Sequence, residues 1–119
     1  MTIVRHTGSI TRDDQTHVPL ELPLGDPLGA DIATTYLELF EATVGSIDAG
    51  VWECDPGRFR VDWPENGEVI YLISGRVTLL EDGEDPVEIG PGAFVIFPVG
   101  WKGFWEITEA VKKVYVNFS

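Results

Sequence analysis

From residue 34 onward the chain alternates apolar and polar positions in short runs, each closed by glycine, proline, asparagine or aspartate. Period-two alternation sends successive side chains to opposite faces of a strand, so these runs predict half-buried strands. Strands are expected at residues 34–41, 47–54, 58–63, 68–74, 76–80, 87–89, 93–97, 101–107 and 111–118. The first is ambiguous, because Ile32, Tyr36, Leu37 and Phe40 also share a helical face; Thr34, Thr35 and the aromatics favour a strand. Turns are expected at Val44-Gly45, Asp55-Pro56-Gly57, Pro64-Glu65-Asn66-Gly67, Gly75, residues 81–85, Gly90-Pro91-Gly92 and Pro98-Val99-Gly100. Proline fixes φ, glycine accepts positive φ, and Asn-Gly marks a tight reversal. Regularly spaced short strands of this kind predict an all-β sandwich or barrel.

Residues 1–30 lack that periodicity. They carry both histidines, His6 and His17, and the prolines Pro19, Pro23 and Pro27. The stretch Pro19-Leu20-Glu21-Leu22-Pro23-Leu24 offers alternate leucines to a surface. The expectation is an extended N-terminal arm over 1–30 laid on a barrel domain over 31–119; a frayed terminus is the alternative.

Length and charge narrow the function classes. A chain of 119 residues is one domain, large enough for one core. With 20 acidic against 8 basic residues the formal net charge is -12, which repels phosphate backbones and anionic headgroups. Nucleic acid and membranes are therefore not expected as partners, and solubility is the plain role of the acidity. A lone cysteine, Cys54, allows no internal disulfide or zinc framework. Its neighbourhood in sequence holds no histidine to activate it, so a buried structural thiol is expected. No apolar run is long enough to span a bilayer and the N-terminus shows no signal core, so a cytoplasmic location is expected.

Between Gly57 and Ile107 the turn residues form a spaced framework. Glu68 stands six residues before Gly75, with strand, turn and strand between Gly57 and Gly75. Downstream, Gly92, five residues, Pro98, one residue and Gly100 follow in fixed steps. These two halves resemble the two conserved motifs of the cupins, in order and separation. The stretches 50–64 and 98–106 are similar to small cupins grouped with the (S)-ureidoglycine aminohydrolase cupin domain and the ethanolamine-utilisation Q-type cupins, RmlC-like in fold. That resemblance implies a double-stranded β-helix, the jelly-roll barrel. It also implies a metal held by three histidines and one glutamate, and a common homodimeric state. Here the second motif's histidine position is Gly103 and its asparagine position is Ile107. The first motif's histidine pair falls within Val61, Asp62, Trp63, Pro64 and Glu65, whichever end is counted from. Glu68 alone remains, so no metal ligand set and no cofactor are expected, although the family would suggest a metal.

Strand alternation then nominates a pocket. If Glu68 points into the barrel, so do Ile70 and Leu72, while Val69, Tyr71 and Ile73 face out. If position 103 faces inward, so do Trp101, Trp105 and Ile107. Arg60 and Asp62 share a face, with Trp63 at the strand end. The expected ligand-binding pocket is Arg60, Asp62, Trp63, Trp101 and Trp105, with Glu68 as the catalytic candidate. A buried carboxylate must be partnered or protonated. Two function classes follow. One is an enzyme acting on a small nitrogenous or carboxylated metabolite with Glu68 as general acid/base. The other is a ligand-binding module, or an interaction domain dimerising through outward residues such as Tyr71 and Phe104.

Overall fold

The computed structural model describes residues 2–42 and 44–119; Met1, the first residue of the expected arm, and Thr43 lie outside them. Nine strands are described, β1 Thr16–Pro19, β2 Asp26–Pro27, β3 Ala33–Glu41, β4 Ile47–Cys54, β5 Gly57–Asp62, β6 Gly67–Glu81, β7 Val87–Ile89, β8 Phe94–Phe97 and β9 Lys102–Phe118. All pairings are antiparallel, and the sheet curls into a jelly-roll barrel.

The ambiguous segment is a strand: β3 pairs with β1 on one side and β4 on the other. Its β-branched threonines suit a sheet position, because Thr34 and Thr35 are both buried and hydrogen-bonded, to the Val18 carbonyl and the Gln15 side chain.

Two expected interruptions are absent. Residues 68–74 and 76–80 form one bent strand, β6, rather than two joined by a turn at Gly75. The pairing with β9 shifts register between Leu72 and Val77, so Gly75 sits in a bulge with φ 98°. A Cβ there would strike the Ala110 carbonyl and Val111 Cα, so only glycine fits. Likewise residues 101–107 and 111–118 fall on the single long strand β9. Its first half pairs with β5, its second half with β4, and β6 runs along its other edge. β9 is thereby the strand through which both sides of the barrel are joined.

The two halves of the barrel interior differ. Phe97, Trp101, Trp105 and Phe59 pack ring to ring with centroids 5.1–5.6 Å apart, filling one half with aromatic core. The other half is hollow, and residues 18–24 of the chain before Ala33 line its open side. β1 adds to β3 and β2 adds to β5, so both ends of this segment are held in ladders. Between them, residues 19–24 cross the barrel mouth, with Leu20 buried beneath. The Trp63 indole Nε1 donates to the Leu24 carbonyl at 3.1 Å and clasps the crossing segment.

Candidate functional site

Glu68 enters the barrel from β6 by alternation, with Ile70 and Leu72 buried beside it and Tyr71 exposed on the opposite face. Its partner is Lys113 on β9. The Lys113 ammonium donates to both carboxylate oxygens, at 3.0 and 3.1 Å. Both residues are buried, at 6% and 4% exposure. A carboxylate and an ammonium at this depth are tolerable only as a pair, because either alone would lose its hydration uncompensated.

Aromatic faces complete the surroundings of Lys113. Its Nζ stands 4.4 Å from the Trp52 ring centroid, 4.7 Å from that of Trp105 and 6.0 Å from that of Tyr115. A cation over aromatic faces is stabilised by their quadrupoles, more so away from water. Trp105 is fully buried, and its indole Nε1 reaches no hydrogen-bond acceptor among the described residues.

The pair opens onto a cavity of about 460 Å³. Its walls include Trp52, Phe59, Trp105 and Tyr115, and its roof is residues 18–24. Among the described residues lining it, Lys113 is the one basic side chain, against the acids Glu21, Glu38, Asp48 and Glu68. Burial, then the carboxylates of Asp48, Glu38 and Glu68, hold the Tyr115 hydroxyl above the ordinary phenol range. The cavity field is thus negative around a single interior cation. Asn117 fixes part of the rim by donating to Asp48 Oδ2 at 3.1 Å. An adjoining hollow of about 530 Å³ shares Glu38, Asp48, Trp63 and Glu68 and extends to Asp62 and Pro64.

The sequence-nominated residues separate into three groups. Glu68, Trp63 and Trp105 line the main cavity, and Asp62 stands exposed at the rim of the adjoining one. Trp101 faces inward but lies in the aromatic core, with its Nε1 donating to Glu81 at 3.1 Å, and does not reach the cavity. Arg60 is on the outer face. It forms a two-pronged pair with Asp82, both contacts 2.6 Å, and its guanidinium lies 4.9 Å from the Phe104 ring centroid. The inward positions of β5 are Phe59 and Val61, both buried, so Arg60 between them must point out. Sequence reasoning missed Lys113, Trp52 and Tyr115. Extending the odd-numbered inward face of β9 from Gly103, Trp105 and Ile107 through Val111 reaches Lys113, Tyr115 and Asn117.

Burial pushes the Cys54 thiol up to about 12, outweighing the opposing pull of the Lys113 charge. It is fully buried and donates to the Asp55 carbonyl, so it is packing rather than nucleophile.

The donor set does not fit the metal that the jelly-roll resemblance implies. Both oxygens of Glu68 face an ammonium, which would repel a divalent cation at that carboxylate. At Gly103 even a Cβ would stand 2.5 Å from the Leu80 carbonyl oxygen and 2.8 Å from the Trp101 ring, so an imidazole has no room. Pro64 and Glu65 are exposed in the β5–β6 turn, and Ile107 is buried in the core. His17 lies on β1 with its Nε2 2.9 Å from the Arg12 carbonyl, on the exposed side of the arm.

The family of EutQ-like cupin domains matches residues 41–115. Among curated proteins none matches this chain. Of the solved structures, a protein of unknown function from Pseudomonas syringae pv. tomato is 25% identical with a TM-score of 0.74, over 87% of this chain and 43% of that one. The chain thus spans less than half that protein's length. The Clostridium difficile EutQ protein is 20% identical with a TM-score of 0.62, over 73% and 68% of the two chains. Ectoine synthase from P. lautus is 16% identical with a TM-score of 0.68, covering 98% of this chain and 78% of that one. These last two likenesses are of fold.

Proposed function

The chain belongs to the EutQ-like cupin family, and on that premise we propose that it holds a small polar metabolite in the arm-roofed cavity, with Glu68 and Lys113 as its polar contact. The observation that carries this reading is a buried ion pair exposed to a cavity rather than packed on every side. A purely structural pair would be better replaced by apolar side chains of the same volume. An aromatic wall with a few converging polar groups is the composition of small-molecule sites. In the enzymatic form of this reading Glu68 moves a proton to or from the bound molecule, with Lys113 as the neighbouring donor.

Thermal stabilisation by a panel of small amines, carbonyl compounds and carboxylates tests it. A bound compound at about 100 times its Kd stabilises the fold by roughly 2.7 kcal/mol. We expect that gain in the wild type and its loss in the neutral pair Glu68→Gln with Lys113→Met. Undiminished stabilisation in that variant would place the compound elsewhere and remove the reading.

A second reading, a homodimer, rests on the outer face of the β8–β6–β9 sheet. Phe94 and Ile96 are 67% and 59% exposed, Tyr71 is 49% exposed, and the register sets Tyr71 beside Phe94 and Val69 beside Ile96. A contiguous apolar patch of this kind fits a self-complementary interface. Phe104 is not part of it, because Arg58 and Arg60 cover that ring. Light scattering should give a dimer for the wild type and a monomer for Phe94→Glu; a wild-type monomer at micromolar concentration would end this reading.

A further inference from the structure

We propose that Lys113 is an imine-forming amine for a small aldehyde or ketone held in the cavity; this deepens, and rests on, the binding reading above. An amine acts as a carbonyl nucleophile when it sits in an apolar site with a base close enough to take its proton. Lys113 meets both conditions. Two indole faces flank its nitrogen at 4.4 and 4.7 Å, and the Glu68 oxygens lie 3.0 and 3.1 Å away. The cavity adjoins that nitrogen, so a carbonyl carbon has space to approach it. Its sequence neighbour shows the contrast: Lys112 points to the outer face, where its ammonium is held by the Thr7 and Ile10 carbonyls at 2.9 and 2.8 Å.

The step balances with these two groups alone. Lys113 passes a proton to Glu68, its lone pair attacks the carbonyl carbon, and the C=O π pair moves to oxygen. Glu68 returns the proton to that oxygen, then takes one from the nitrogen. The carbinolamine loses its hydroxyl as water, protonated by Glu68, while the nitrogen lone pair forms the C=N bond. The products are a protonated imine, water and the Glu68 carboxylate, with no oxidant or reductant used. The carboxylates Glu38 and Asp48 at the mouth disfavour acidic carbonyl compounds. The aromatic wall favours a flat or apolar body. The substrate class is therefore a small neutral or cationic aldehyde or ketone.

Reductive trapping of the full chain tests this. Benzaldehyde and cyanoborohydride should fix one benzyl group on Lys113, saturably, while Lys102 and Lys112 stay unmodified in the peptide map. Glu68→Gln should slow trapping by at least about a hundredfold, the low side of what a positioned acid/base contributes. Pyruvate, as an anionic carbonyl probe, should trap more slowly than benzaldehyde. No adduct on Lys113, or adducts spread over the exposed lysines, overturns the proposal; equal trapping of pyruvate overturns the assigned substrate class. Thermal stabilisation by benzaldehyde without trapping overturns the imine and leaves the binding reading standing, and that outcome separates the two. The wild-type map decides the case even where a Glu68 variant fails to fold.

Discussion

One ion pair reaches from β5 to the turn after β6 and another links β6 with β9, and the shorter of them is the less consequential. Arg60 and Asp82 meet at 2.6 Å through both prongs, on a surface where water competes for each charge. Lys113 and Glu68 meet at 3.0 and 3.1 Å, but behind a wall of tryptophan. Distance alone would favour the first pair. The dielectric decides otherwise, because solvent screens the exposed pair and leaves the buried one nearly unscreened. The price of that strength is dependence: each buried charge needs the other to exist where it does.

The largest expected effect breaks the buried pair on one side only. Lys113→Met leaves the Glu68 carboxylate without a cation and should cost about 3–5 kcal/mol in urea unfolding. Glu68→Leu added to Lys113→Met should recover most of that loss, because an apolar pair of similar volume needs no hydration. A single-variant loss under about 1 kcal/mol would erase the distinction between the two pairs.

An intermediate effect concerns the roof of the cavity. Trp63→Phe keeps an aromatic ring against Phe97 and Trp101 but removes the donor to the Leu24 carbonyl. A hydrogen bond of this kind contributes about 0.5–1.5 kcal/mol. We expect a small change in global stability and a several-fold faster amide exchange across residues 20–25, measured by mass spectrometry. Unchanged exchange there would mean that the β1 and β2 ladders hold the roof without the clasp.

The barrel was legible because glycine, proline and period-two alternation are local signals, and the sheet obeys them. The strand over Ile47–Cys54 and the inward set of Glu68, Ile70 and Leu72 follow from alternation alone. Gly75 misled because positive φ serves a bulge as well as a turn, and which of the two it serves depends on the distant partner Ala110. Arg60 was nominated for the strand face it shares with Asp62, and the burial of its neighbours Phe59 and Val61 turns that face outward. Lys113 was hidden differently. A lysine near the end of a chain reads as solvated, and only the continuity of β9 carries the inward face that far. Its pairing with Glu68 is a contact across 45 residues, which no local pattern encodes.

The smallest effect sharpens the comparison from the exposed side. The hydrogen bond from Arg60, followed by its charge, holds the Asp82 carboxyl below the usual carboxylate range, and Asp82 in turn raises the Arg60 guanidinium. A carboxylate whose folded value is depressed adds stability above its ordinary value of about 3.9 and loses it as pH falls through the lower folded one. Arg60→Gln should therefore lower the melting temperature slightly at neutral pH and low salt. The difference from wild type should shrink to nothing as pH falls through the depressed folded value of Asp82, and also in about 1 M salt, where the Debye length is roughly 3 Å. The deficit of Lys113→Met should survive the same salt, since its charges lie away from the mobile ions. If salt erased both deficits alike, mobile ions would have to reach Lys113 and Glu68 through the cavity, and the two pairs would differ in depth but not in screening.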